Sequence, residues 1–210
     1  MKIFINSILF ILLAFFCFLM LRLSMPYFST RYDVDFLLTK QSIIHIKFWR
    51  YSFYTHVFLS SLTLIAGLTQ FSNYILSRKK RLHRMMGYIY VVDVLVFAGP
   101  SGLIMAFYAN GNMISKTSFV VLSFLWILFT AIALLKIKQK EFTKHRNWMF
   151  RSYALTLSAI SLRLYAFLFP KFFHMNAFDQ YALIAWLSWT LNLFIAEYLI
   201  FRKRNQPLFF

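Results

Sequence analysis

Residues 144–165 read KHRNWMFRSYALTLSAISLRLY, a basic entry followed by a mostly apolar run. At 3.6 residues per turn His145, Ser152, Thr156, Ala159 and Arg163 fall on one stripe, with basic groups about five turns apart at its ends. The opposite side offers Leu155 and Leu162 to lipid or to packing. An arginine this deep in an apolar run is costly unless it faces a partner or a water-filled cavity. The stretch therefore reads as a membrane-spanning helix with a polar inner face.

The rest of the chain repeats that logic. Of its 210 residues 60% are hydrophobic, against roughly half in globular domains, and the mean hydropathy is +0.63. The apolar residues come in blocks of about 20, the length that crosses a bilayer. The fold class expected is an all-α integral membrane protein, a bundle of about six transmembrane helices. Spans are expected near 3–23, 51–76, 85–109, 117–135, 144–170 and 181–201. Block 3–23 follows Met1-Lys2 and has no small-residue cleavage site after it, so it reads as an uncleaved first span. Between the first two spans, 24–50 is polar and aromatic, broken at Pro26. Val34, Leu37, Leu38 and Ile44 recur there at helical spacing beside Asp33, Asp35, Lys40 and Lys47, the pattern of a short amphipathic helix on the membrane surface or capping the bundle. Gly99-Pro100 predicts a kink in the third span and Pro170 the end of the fifth.

The net charge of +17 points away from a soluble nucleic-acid domain, because the basic residues flank apolar blocks. With the N-terminus inside, fourteen Lys and Arg lie on the cytoplasmic side and seven outside. The loops 77–84 and 136–146 dominate the difference, so both termini are expected to be cytoplasmic and 24–50 external. The single cysteine, Cys17, lies in the first block as a small packing residue, and no disulfide or cysteine metal site follows from it. Three segments are expected: 1–50, a span plus an extracytoplasmic segment; 51–204, a five-span bundle; and 205–210, a cytoplasmic tail.

The polar residues inside the spans carry the functional question. His56, Ser60, Thr63, Gly67 and Gln70 share one face of the second span. His83, Gly87 and Tyr90 do so on the third, with Asp93 about two turns inside. Small and hydroxyl residues on such a face let helices approach closely. An inner polar layer holds Gln70, His83, Asp93, His145, Arg151 and Glu197; an outer layer holds His56 and Arg163, with His45 and His174 on loops. Arg163 is expected near His56. Arg151 can neutralise Asp93 or Glu197, since unpaired charge in hydrocarbon costs several kcal/mol. Asn192 is a further intramembrane polar group. His83-Arg84 and His145-Arg146 open two helices that run the same way, a weak internal echo.

The elements HRMMGYIYV, GPSGLIMAFYANGN, HRNWMFRSYALTLSAISLRLY and NLFIAEY, in this order, resemble the bacterial membrane family known as domain of unknown function 2306. The resemblance covers roughly 56–198. Its matching positions are His56, Gly67, Gln70, His83, Arg84, Gly87, Tyr90, His145, Arg146, Arg151, Arg163, Asn192 and Glu197. It implies a multi-span protein of the bacterial inner membrane and no particular reaction.

Three functions compete. Haem b could be held by His83, His145 or His56 as axial ligands, with Arg84 and Arg146 beside the propionates and Gly87 making room for the macrocycle. The interior could carry a proton, an anionic solute or a lipid, with Arg151 and Arg163 as counter-charges. Or the polar groups only cement a scaffold subunit. The basic pairs equally suit anionic lipid headgroups. No nucleophile–base arrangement, phosphate loop or zinc motif is present, so no catalytic residue is assigned and the protein leans away from being an enzyme.

Overall fold

A computed structural model describes residues 2–70 and 72–204. Its regular structure is helical, with no strand among the described residues, and six helices are long and apolar enough to cross a membrane. They fall into two compact units, Met1–Tyr108 and Ala109–Phe210. The expected tail, 205–210, lies outside the described residues.

The first unit begins with α1 (Lys2–Ser24), whose Ser24 hydroxyl donates to the Met20 carbonyl and lies 3.4 Å from Ser61 Oγ. The segment after it is not the amphipathic helix expected over 24–50. Thr30 (φ 55°) and Asp35 (φ 41°) adopt left-handed conformations that interrupt a right-handed helix, leaving two 3₁₀ turns, Met25–Ser29 and Asp35–Lys40. The apolar spacing has another use: Tyr27, Leu37 and Ile44 fold onto Trp49 and Phe53 at the start of α2 (Lys47–Gln70). Tyr27 meets Phe53 edge-on, ring centroids 5.1 Å apart, and Trp49 stacks on Phe53 at 5.6 Å. Lys40 is buried in this cap; its ammonium donates to the Tyr108 carbonyl at 2.5 Å and lies 5.4 Å from the Phe36 centroid.

α2 ends at Gln70, six residues before the expected boundary. A separate short helix, α3 (Asn73–Arg78), starts at Ser72, whose Oγ accepts from the Ile75 N–H. The third span, Lys80–Phe107, comprises α4 (Lys80–Val92), a π-helical turn over Asp93–Ala98 and α5 (Gly99–Phe107). Pro100 has no N–H to give the preceding turn, and the helix answers by widening rather than by breaking. The Gly99 N–H accordingly bonds the Val94 carbonyl, five residues back.

In the second unit α6 (Met113–Lys138) begins at Asn112, whose side chain accepts from the Ser115 N–H at 3.1 Å. Its buried face is a line of small and hydroxyl residues, including Ser115, Ser118, Ser123, Thr130 and Ala133. That face allows close approach to α7 (Phe142–Thr156). Three contacts climb this seam. Trp126 Nε1–H donates to Thr156 Oγ1 at 3.0 Å, the Thr130 and Ser152 hydroxyls lie 2.7 Å apart, and the His145 ring bonds the Ala133 carbonyl.

The stretch 144–165 is two helices, not one. α7 stops at Thr156 and α8 (Ser158–Phe172) begins after Leu157. The stripe predicted across it holds at Ser152 and Thr156, which are buried, and fails at Arg163, which is exposed and donates to its own helix at the Ala159 carbonyl. Leu155, offered to lipid or to packing, is buried and so serves packing. Pro170 does not end the span but sits inside the last turn and a half of α8. The last helix, α9 (Ala177–Arg204), returns along the unit; its Trp189 Nε1–H donates to Ser118 Oγ at 2.9 Å.

Candidate functional site

In the first unit the polar face of α2 packs along the third span. At one end, Gln70 Nε2 donates to the His83 carbonyl at 3.2 Å and its Oε1 covers Gly87, where a Cβ would come within 3.2 Å. The space at Gly87 is thus filled by Gln70 and not left for a flat macrocycle. At the other end, the Cε1–Nδ1 side of the His56 ring packs against Gly102: a Cβ there would stand 2.7 Å from Cε1 and 2.8 Å from Nδ1. Nδ1 is 2.8 Å from the Ala98 carbonyl. A carbonyl only accepts, so this nitrogen carries a proton and donates it to the bond. The Ser101 hydroxyl shares the same carbonyl at 3.2 Å and reaches Phe97 O at 2.6 Å. The acceptor both use sits at the end of the π turn.

His56 and Gln70 are fourteen residues apart on α2, about 21 Å along the axis, and His83 is at the Gln70 end. His56 and His83 therefore cannot hold one iron between them.

Between the two ends lies Asp93. It opens the π turn, thirteen residues from Lys80 and fourteen from Phe107, which is the middle of the span rather than two turns inside. The difference arises because the helix begins at Lys80 and not at Met85. Asp93 is 5% exposed, and neither carboxyl oxygen has a well-formed hydrogen bond; the Ala98 backbone N–H, five residues on, lies in its electrostatic reach. No cation pairs with it among the described residues. An ionisable group buried without a counter-charge, on a π turn, is the feature that helix packing alone explains least.

The second unit treats its intramembrane acid differently. Arg151 clasps Glu197 of α9 through Nε and Nη2, a two-pronged charge-assisted pair, and its guanidinium lies 4.6 Å from the Trp148 centroid. Of the two expected partners for Arg151 the chain uses Glu197. Asn192 bridges within the same unit: its Oδ1 accepts from Ser161 Oγ at 3.1 Å, and its Nδ2 donates to the Ala154 carbonyl, in the turn where α7 gives way to α8. His145 Nδ1 is 2.8 Å from the Ala133 carbonyl and donates to it, as His56 Nδ1 does to Ala98.

His83, Arg84 and Gln70 thus belong to the first unit and His145, Arg146, Arg151, Arg163, Asn192 and Glu197 to the second. Arg84 and Arg146 are exposed and form no ion pair among the described residues. His45 and His174 are exposed on connecting segments. No cluster of three or more His, Cys, Asp or Glu suited to a metal ion occurs among the described residues.

Ala98 and Gly102 carry the His56 contact and were not singled out from the sequence. The only signal was a second glycine three residues after Gly99-Pro100, opposite a span that contains a histidine.

A family model described as "Predicted membrane protein (DUF2306)" matches residues 53–200. No curated protein and no solved structure matches the chain.

Proposed function

This chain belongs to the DUF2306 family of predicted membrane proteins, and from that premise we propose that it handles protons inside the bilayer, with Asp93 as the proton-binding group. One observation carries the reading: Asp93 is buried at mid-span with no counter-charge and with neither oxygen in a well-formed hydrogen bond. A carboxylate there costs several kcal/mol unless its occupant brings a positive charge, and a proton is the smallest that does. The π turn supports the same reading, because widened turns inside α-helices are frequent at functional sites. Glu197, by contrast, is already neutralised by Arg151 and serves to hold α7 to α9.

The test uses the full chain in proteoliposomes under an imposed pH gradient, read by an entrapped pH-sensitive dye. The parent should equilibrate faster than protein-free vesicles, Asp93→Asn should fall to their rate, and Asp93→Glu should retain part of the flux. A parent no leakier than empty vesicles, or Asp93→Asn matching the parent, would sink the reading.

A second reading is haem b ligation by His145, with Arg146 as a propionate partner. Its support is the contact of His145 Nδ1 with the Ala133 carbonyl, the backbone partner that a metal-ligating imidazole commonly has. A haem absorbance band in the parent, lost in His145→Ala, would establish it; colourless protein after expression with ample haem would end it. The basic loops support cytoplasmic termini and residence in a bacterial inner membrane with anionic headgroups.

A further inference from the structure

Arg78, Lys79, Lys80 and Arg81 lie where α3 ends and the third span begins, and they wrap an open groove of about 510 Å³ whose remaining lining is Leu82 and Met85. None of the four cations forms an ion pair among the described residues. The other basic loop differs. There Glu141 accepts from Lys136 at 3.0 Å and from Lys144 at 2.5 Å, so part of its charge is spent internally. The groove also receives the start of α4, whose N-cap, Lys79, makes no side-chain cap. Backbone N–H groups of that first turn add positive potential on the same side as the four side chains.

We propose that this groove is a binding site for the phosphate headgroup of an anionic phospholipid, with Leu82 and Met85 against the first part of an acyl chain. Four cations supply ample charge for a phosphodiester. The two apolar side chains, both exposed, give the ligand a hydrocarbon end, which a free phosphate lacks. The position at a helix end fits the depth of a headgroup, where juxtamembrane Lys and Arg add to lipid affinity charge by charge. Binding here would anchor the end of the third span, where His83 and Gly87 meet Gln70 of α2. It does not depend on Asp93 carrying a proton.

The experiment is native mass spectrometry of the full chain in neutral detergent, titrated with phosphatidylglycerol or phosphatidylcholine. The parent should retain phosphatidylglycerol selectively. Replacing Arg78, Lys79, Lys80 and Arg81 together by Gln should abolish the selectivity, since each lost charge weakens binding about fivefold. The four side chains are exposed, so the variant should fold, and its helical circular dichroism checks this. A control in which Lys138, Lys140, Arg202 and Lys203 become Gln should keep the preference. Equal loss in the control, equal retention of both lipids by the parent, or displacement of phosphatidylglycerol by millimolar inorganic phosphate would each overturn the proposal.

Discussion

Gly102→Ala tests the closer of the two glycine contacts described in the first unit. The new methyl carbon would sit 2.7 Å from His56 Cε1 and 2.8 Å from Nδ1, where ordinary contact begins near 3.4 Å. The ring must therefore retreat by about 0.7 Å or the helices must part by as much. A ring displaced that far stretches its 2.8 Å bond to the Ala98 carbonyl to the limit of a hydrogen bond. Overpacking of this kind costs about 1–3 kcal/mol, and the weakened bond about 1 kcal/mol more. For a chain of this size that lowers the melting temperature by roughly 5–15 °C. Thermal unfolding in detergent, followed by circular dichroism, measures it. The decisive comparison is a double-mutant cycle: in the His56→Ala background the methyl meets no ring, so Gly102→Ala should cost almost nothing, a coupling of about 2 kcal/mol or more. If Gly102→Ala costs the same in both backgrounds, or nothing in the parent, the account of this contact is wrong.

Arg151→Leu removes both prongs of the clasp on Glu197 and the contact with Trp148, and should destabilise the second unit by about 1–3 kcal/mol, with Arg151→Leu/Glu197→Leu recovering part of that loss in the same unfolding assay. Glu141, bonded first by Lys144 and then by Lys136, is held below the usual carboxylate range. Its folded-state pKa lies below its unfolded one, so its contribution is complete above about pH 4.3 and is lost as pH falls through the lower folded value. Hydrogen exchange over 139–144 should accelerate in that acidic window, and Glu141→Gln should remove the pH dependence. Reporter fusions at 45 and 140 should lie on opposite sides of the membrane, with 110 on the same side as 45; 45 and 140 on one side would refute six crossings.

The spans were legible because hydrocarbon thickness dictates block length, and a run such as 117–135 admits no other use. Their ends were not. Lys80 and Arg81 extend the third span because a helix continues past the hydrocarbon into the headgroups, and that shift moved Asp93 from near one end to the middle. The pairing of Arg151 with Glu197 was half legible: each charge needed a partner, but the choice between Glu197 and Asp93 depends on which helices touch. The break at Leu157 left no trace, since neither Gly nor Pro marks it. Nor could the 24–50 segment be read correctly, because helical spacing of Leu37 and Ile44 is equally produced by turns folding back on Trp49 and Phe53.

The π turn at Asp93–Ala98 also sets the phase of everything after it. Relative to an uninterrupted α-helix it holds one surplus residue, worth about 100° of rotation and 1.5 Å of advance. Two rulers meet in this helix: residues up to Val92 are phased to set Gly87 against Gln70, and residues from Gly99 onward to set Gly102 against His56. Delete one residue between 93 and 98 and only one of these alignments can survive. The turn thus works as an adjustable joint in the helix's reading frame, and its length, more than the identity of most side chains within it, decides which faces the third span offers to α2.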